Sequence, residues 1–169
     1  MTEGNLLPDL VSPAARLGAV LRERGETLAV AESSAGGLVS AALLALPGAS
    51  AYFLGGAVVY TGAARNALLG ISPADMEGMR PSSEPYARLL ASRVRERLGA
   101  DWGLAETGAA GPAGNRYGDP PGHCCIAVSG RVELARTIRT GADGRGGNMQ
   151  AFAAAVLNLL GEAIAARAS

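Results

Sequence analysis

The chain has 169 residues, of which 49% are hydrophobic and 18% are charged, and its 15 basic and 15 acidic residues give a net charge of +0. This length predicts a single domain spanning residues 1–169, and the composition excludes an intrinsically disordered chain. Neutral charge and 4% aromatic residues make nucleic acid an unlikely partner, because a nucleic-acid surface needs basic side chains and stacking platforms. All 15 basic residues are arginine.

Hydrophobic periodicity and turn residues predict helices that alternate with strands. Helices are expected over residues 10–24, 36–46, 63–69, 83–98 and 151–166, and strands over residues 27–31, 53–60, 102–106, 124–128 and 132–138. The helix over 36–46 is apolar almost all round, which indicates burial. The last two strands flank a Ser-Gly turn, which predicts a hairpin and one antiparallel strand. We therefore expect an α/β fold with helices on both faces of a mixed, mostly parallel sheet.

The two cysteines are adjacent in the sequence, at Cys124 and Cys125. Neighbouring residues of a strand point to opposite faces, so this pair suits neither a disulfide nor a zinc site. We expect reduced, half-buried core cysteines in a cytoplasmic protein. No run of 18 consecutive apolar residues occurs, so no membrane-spanning helix is predicted, and residues 1–9 do not resemble a secretory signal.

The first candidate segment reads Ala-Glu-Ser-Ser-Ala-Gly-Gly and lies between a predicted strand and a predicted helix. The hydroxyls of Ser33 and Ser34 are expected beside free backbone N–H groups near Gly36 and Gly37. This pattern suits a nucleophile with an oxyanion site, and it equally suits a phosphate cradle. A serine N-cap with closely packed glycines is the purely structural alternative.

Two further segments are expected at the same edge of the sheet, because ligands of α/β sheets bind at the carboxyl ends of strands. In one, Tyr60 could donate a hydrogen bond and Arg65 could bind a carboxylate or phosphate, although both also fit a solvated surface. The other is a glycine-rich loop over residues 108–122, which lacks the GxGxxG dinucleotide pattern. Its ligand-binding candidates are Thr107, Gly108, Gly111 and Gly114, since glycine lets a backbone approach a ligand closely.

Two titratable residues near this loop are candidates for a general base. Glu106 ends a predicted strand and faces the glycine loop, and His123 is the only histidine in the sequence. Histidine changes its charge near neutral pH, which suits proton transfer. Each residue also has a structural interpretation: Glu106 as a capping or solvated carboxylate, and His123 as a structural histidine near a loop.

Five blocks of the sequence, taken in order, resemble the CinA C-terminal domain family, also known as the nicotinamide-nucleotide amidohydrolases. The blocks are AESSAGG, GGAVVYTGAARNALLG, SSEPYA, ETGAAGPAG and PPGHCCIAV. The resemblance implies a three-layer α/β/α sandwich, present here as a stand-alone domain. It also implies hydrolysis of nicotinamide mononucleotide to nicotinic acid mononucleotide and ammonia, with no metal and no cofactor.

The resemblance assigns roles to several residues. Ser33 matches the family's proposed nucleophile, and Tyr60 matches a site tyrosine. The family's proposed general base is a lysine, and this position is Arg65, which stays protonated and cannot accept the serine proton. Asp119 stands where the family usually has a lysine, and Arg145 is a possible match to a family arginine that we include among the ligand-binding candidates.

Two hypotheses follow. In the first, the chain is an amidohydrolase: Ser33 attacks the amide, Tyr60 orients it, Arg65 and the glycine loop hold the phosphate, and Glu106 or His123 supplies the base. In the second, the chain is a catalytically silent member that binds a nucleotide or a protein partner. The nearly all-apolar helices also make a homodimer plausible.

Overall fold

The computed structural model describes residues 7–166. The helices are α1 (Pro8–Arg24), α2 (Leu38–Leu44), α3 (Gly62–Leu69), α4 (Glu84–Leu98) and α5 (Arg145–Ala166). The strands are β1 (Leu28–Glu32), β2 (Phe53–Val58), β3 (Trp102–Gly108), β4 (His123–Ser129) and β5 (Leu134–Arg139). Two short 3-10 helices, Ala49–Ala51 and Ala74–Met76, were not predicted.

The five strands form one sheet in the order β2-β1-β3-β4-β5. Strand β1 is parallel to both β2 and β3, whereas β4 is antiparallel to β3 and to β5. Strand β4 is thus the one reversed strand, and the prediction of a mixed, mostly parallel sheet is confirmed. The parallel strands bring the residues after β1, β2 and β3 to one edge of the sheet.

Helices cover both faces of the sheet, which confirms the three-layer α/β/α sandwich. One core cluster joins α1, α2 and α5 to one face and includes Leu28, Trp102 and Cys124. The other joins α3 and α4 to the opposite face and includes Ala29 and Cys125. The alternation of strand side chains thus separates the two cysteines, and both are free thiols, as predicted.

Two helices differ from their predicted form. Helix α2 is shorter than expected and only partly buried, since Leu44 at its end is 54% exposed. Helix α5 begins six residues earlier than the predicted start at 151, and its first turn contains Gly146 and Gly147. The buried Asn148 stabilises this first turn, because its amide donates to the carbonyls of Ala110 and Ala142 at 2.8 and 2.9 Å.

Helix α5 is also, among the helices of residues 7–166, the one long and apolar enough to cross a membrane. Its apolar side chains are used inside the domain instead. Phe152 and Leu157 are fully buried in the core cluster under β3 and β4. The apolar character of α5 is therefore explained by the packing of the sheet.

Candidate functional site

The three predicted segments meet at one cleft of about 480 Å³ at the carboxyl ends of β1, β2 and β3. The sequence candidates that line it are Ser33, Tyr60, Arg65, Thr107 and Gly108. The other lining residues are Val59, Thr61, Gly62, Pro81, Ser82, Tyr86, Asn115, Arg116 and Tyr117. None of these described lining residues is acidic and two are arginine, so the cleft suits an anion with an aromatic group.

Ser33 is the first residue after β1 and is half-buried at the cleft. Its backbone N–H donates a hydrogen bond to the Glu106 carboxylate, with a distance of 2.5 Å between nitrogen and oxygen. Its hydroxyl makes no hydrogen bond to any other residue in the described range 7–166, so the oxygen is available to a ligand. The held backbone fixes the position of the hydroxyl at the cleft, but activation of a serine nucleophile also requires a base in hydrogen-bond reach, and no described residue bonds to this hydroxyl.

Glu106 lies fully buried beneath the segment that carries Ser33. Its carboxylate also accepts from the Ser34 hydroxyl at 2.6 Å and from the Ala35 N–H at 2.7 Å. Burial raises the pKa of Glu106 to about 7, although these three donors oppose the shift; the negative charge of Glu32 adds to it. Glu106 therefore holds the serine segment and exchanges a proton near neutral pH.

The structure does not place the ligand-binding candidates Ser34, Gly36 and Gly37 at the cleft. Ser34 is buried with its hydroxyl on Glu106. The N–H of Gly36 donates to the Ser33 carbonyl, and the N–H of Gly37 donates to the Glu32 carboxylate at 3.1 Å. The N–H groups that were expected to form the oxyanion site therefore have hydrogen-bond partners within the protein.

Glu32 is the residue that occupies the predicted oxyanion site. Its carboxylate accepts from the N–H groups of Gly37, Val39 and Ser40 at 2.9–3.1 Å and from the Ser40 hydroxyl at 2.7 Å. A carboxylate at a helix N-terminus satisfies backbone donors that have no partner in the helix. The sequence analysis overlooked this role, although an acidic residue shortly before a helix was the available signal.

Arg65 reaches the cleft from the first half of α3, which Thr61 caps by accepting from the Ala64 N–H. The Arg65 guanidinium lies 5.6 Å from the ring centroid of Tyr86, which is a cation–π distance. Burial raises the pKa of Tyr86, and the positive charge of Arg65 opposes this shift. Arg65 is thus a fixed cation of the cleft wall.

Arg145 lies at the start of α5, outside the lining of the cleft, and acts through Tyr60. Its guanidinium donates to the Tyr60 hydroxyl at 3.2 Å and to the Gly111 carbonyl at 2.8 Å. Tyr60 is 61% exposed, so this contact with Arg145 restrains the ring at the mouth of the cleft. Arg145 therefore connects two of the predicted segments instead of lining the ligand site.

Gly111 and Gly114 serve the packing of the loop and are not among the residues that line the cleft. Gly111 has a φ of +106°, and a side chain there would collide with the carbonyl of Asp143. A side chain at Gly114 would collide with the carbonyl of Asp119. In both cases the small residue lets two stretches of backbone meet.

His123 lies behind the cleft wall and does not line the cleft. It is buried, with Nε2 placed 2.9 Å from the Ser82 carbonyl and 3.6 Å from the Asp119 carboxylate. Asp119 also pairs with Arg80 at 2.7 Å, and its pKa is lowered chiefly by that arginine. The charge of Asp119 is therefore paired with Arg80, which precedes α4.

The sequence analysis missed the far wall of the cleft, which consists of Asn115, Arg116 and Tyr117 in the glycine-rich loop. Arg116 lies 5.1 Å from the centre of the Tyr117 ring, and Arg80 covers the same ring at 5.5 Å. An Arg-Tyr pair inside a long glycine loop was the only sequence signal. These residues add a second cation and an aromatic ring to the lining of the cleft.

Comparison with known proteins agrees with this architecture. A family model described as CinA C-terminal domain matches residues 11–164. The chain belongs to this family. A CinA-like protein of Prochlorococcus marinus is 50% identical over 111 residues, covering 66% of this chain and 26% of that protein. A CinA-like protein of Gloeobacter violaceus is 46% identical over 130 residues, which cover 76% of this chain and 30% of that protein.

The chain spans about a quarter to a third of the curated CinA-like relatives that it matches. Solved CinA structures match over almost their whole length. The competence/damage inducible protein CihA from Agrobacterium tumefaciens is 30% identical with a TM-score of 0.84, covering 91% of this chain and 95% of that chain. The competence damage-inducible protein A from Klebsiella pneumoniae is 26% identical with a TM-score of 0.86, and the match covers 92% of this chain and 97% of that chain.

Proposed function

We propose that this CinA domain binds nicotinamide mononucleotide and hydrolyses its carboxamide, giving nicotinic acid mononucleotide and ammonia. The observation that carries the proposal is the available Ser33 hydroxyl in a cleft that holds two arginines and no acid among its described lining residues. The cleft of about 480 Å³ has the size of a small-molecule site. We also propose a cytoplasmic location, a reducing compartment in which the thiols of Cys124 and Cys125 would stay free.

The proposed reaction has two steps, formation of an acyl-enzyme and its hydrolysis. Ser33 Oγ forms a bond to the amide carbon while the C–N bond breaks, and the serine proton leaves with the departing ammonia. Water then attacks the acyl-enzyme and the bond to Ser33 Oγ breaks; one water proton returns to Ser33, and the other is released as the acid ionises to the carboxylate, leaving with ammonia as ammonium. Arg65 and Arg116 stay charged and suit the phosphate, and the Tyr60 hydroxyl suits the amide oxygen.

The geometry favours Glu106 over His123 as the proton acceptor. The Glu106 carboxylate contacts the backbone of Ser33 and the hydroxyl of Ser34, and its pKa of about 7 matches the requirement for proton exchange near neutrality. His123 places Nε2 on the Ser82 carbonyl, so that nitrogen carries its proton and is not a base.

A second candidate function is a catalytically silent nucleotide-binding protein on the same cleft. It is favoured by Arg65, which cannot take a proton, and by the position of Glu106 and His123 outside the cleft lining. Both functions share the ligand class and differ only in turnover.

Ammonia release from nicotinamide mononucleotide separates the two functions, with Ser33→Ala as the matched control. The hydrolase function requires that the wild-type rate exceed the Ser33→Ala rate by about 100-fold or more. Equal rates, together with calorimetric binding of the nucleotide, establish the silent binder; equal rates without binding contradict both. Arg65→Lys tests whether the native cleft lacks a base. If this change raises the rate greatly, and the double variant Arg65→Lys/Ser33→Ala loses that gain, the native cleft lacks a general base.

A further inference from the structure

Ser82 is, within the described residues 7–166, the one residue other than glycine whose backbone has a positive φ, at +57°. In this left-handed region the Cβ of an L-residue lies too close to the following carbonyl oxygen, and glycine, which has no Cβ, avoids this cost. Strained residues of this kind occur mainly at functional sites, where the surrounding structure holds them in place. The position of Ser82 therefore requires a reason why it carries serine and not glycine.

Strands β3 and β4 hold the backbone of Ser82 in this conformation. Its N–H donates to the hydroxyl oxygen of Thr107 at 3.3 Å, and its carbonyl accepts from Nε2 of His123 at 2.9 Å. The thiol of Cys125 also donates to this carbonyl, at 3.5 Å. All three partners are buried, so water does not compete for these bonds. The core of the domain thus imposes the left-handed backbone on Ser82.

The hydroxyl of Ser82 has no hydrogen-bond partner among the described residues, although the side chain is nearly buried. Ser82 is 5% exposed and is one of the residues that line the cleft. Within residues 7–166 the fully enclosed side-chain polar atoms that lack a partner are Arg95 Nε and His123 Nδ1. The Ser82 oxygen is therefore not enclosed, and the open space that it meets is the cleft. A ligand that bonds to this hydroxyl satisfies a polar group that the protein leaves without a partner.

The contact with Thr107 places Ser82 at the part of the cleft where Ser33 lies. Strands β1 and β3 are parallel, and Ala31 pairs with Ala105. Ser33 and Thr107 each follow this pair by two residues, so they lie close together at the ends of neighbouring strands. Because the Ser82 N–H bonds to Thr107, its hydroxyl lies beside the same part of the cleft. A ligand group that Ser33 attacks is therefore near Ser82.

We propose that the Ser82 hydroxyl forms a hydrogen bond with the carboxamide of nicotinamide mononucleotide and positions this group for Ser33. The inference rests on the proposed function of the cleft. A hydroxyl suits a carboxamide because it can donate to the amide oxygen or accept from the amide nitrogen. Glycine at this position would relieve the backbone strain, but it would leave the carboxamide without this partner. Ser82 thus binds the reacting end of the nucleotide, while Arg65 and Arg116 suit its phosphate.

Calorimetric titration with nicotinamide mononucleotide of the wild type, Ser82→Ala and Ser82→Gly tests this assignment. Ser82→Ala removes the hydroxyl and keeps the strain, and it should bind the nucleotide about 10-fold more weakly because one hydrogen bond is lost. Ser82→Gly should lose the same affinity and yet unfold about 2 °C higher, because the strain is relieved. The matched control is Ser92→Ala, whose hydroxyl donates to the Leu89 carbonyl within α4 and does not line the cleft. The affinity of this control should equal that of the wild type.

A ligand without the carboxamide separates a direct contact from a general distortion of the cleft. Pyridine mononucleotide, which has hydrogen in place of the carboxamide, should bind to Ser82→Ala and to the wild type with equal affinity. Equal weakening of both ligands by Ser82→Ala overturns the inference, and so does an unchanged affinity for nicotinamide mononucleotide. A Ser82→Gly protein that is less stable than the wild type also overturns it, since serine would then serve the fold. A wild type that does not bind nicotinamide mononucleotide contradicts the proposed function itself.

Discussion

Two buried glutamates at equivalent positions of neighbouring strands perform different tasks. Glu32 of β1 and Glu106 of β3 each follow the paired residues Ala31 and Ala105, and both are fully buried. Glu32 accepts four hydrogen bonds at the beginning of α2, three of them from backbone N–H groups. Glu106 accepts three shorter bonds from the serine segment, and burial raises its pKa to about 7.

The difference shows that burial alone does not set the role of a carboxylate. Glu32 lies at the N-terminus of a helix, where several backbone donors and the helix dipole converge on its two oxygens. Glu106 lies under a loop with two backbone donors and one hydroxyl, and no arginine is among its hydrogen-bond partners within residues 7–166. One glutamate is thus a structural cap, and the other is a titrating group beneath the candidate nucleophile.

The largest expected effect in this comparison is that of Glu32→Ala. It leaves the N–H groups of Gly37, Val39 and Ser40 without acceptors, and we expect a loss of about 3–5 kcal/mol in the free energy of unfolding. Urea denaturation at pH 7 measures it. Glu32→Gln keeps one acceptor oxygen and should lose less than half as much. A loss below about 1 kcal/mol for Glu32→Ala would contradict the capping role.

The next largest effect is a pH dependence of the free energy of unfolding, which the titration of Glu106 should cause. Its pKa is raised from 4.5 in the unfolded chain to about 7, so the folded protein binds the extra proton between these values. The contribution of this proton to the free energy of unfolding is therefore fully present below pH 4.5. It is lost as the pH rises through 7, which lowers the free energy of unfolding by roughly 3 kcal/mol.

Denaturation midpoints of the wild type and of Glu106→Gln at pH 5, 6, 7 and 8 test this dependence. Glutamine retains an acceptor oxygen for the N–H groups of Ser33 and Ala35, so the variant should fold, and its profile should be flatter by the stated amount. A variant that keeps the slope of the wild type would show that Glu106 does not titrate in this range.

The smallest effect concerns Ser34, whose hydroxyl donates to Glu106 at 2.6 Å and lowers its pKa. We expect Ser34→Ala to cost about 2 kcal/mol at pH 8, where the bond is to a charged carboxylate, and about 1 kcal/mol at pH 5. The same denaturation series measures both values. An equal cost at the two pH values would show that the bond does not depend on the charge of Glu106.

The sequence determined the fold class and the location of the site. Apolar periodicity and turn residues fixed the alternation of helices and strands, and parallel topology then directed the segments of Ser33, Tyr60 and Thr107 to one edge. The start of α5 was not predictable, because two glycines in its first turn are compensated by Asn148, which bonds to a loop 38 residues away.

Only the tertiary structure decided which donors and charges remain available at that edge. Gly36 and Gly37 have the pattern of an oxyanion site, yet the Glu32 carboxylate accepts the hydrogen bond of the Gly37 N–H. The titration of Glu106 depends on burial and on donors 71–73 positions earlier in the sequence. Local sequence specifies backbone conformation through short-range sterics and hydrogen bonds, whereas desolvation and the pairing of polar groups arise from contacts that form only when distant segments pack together.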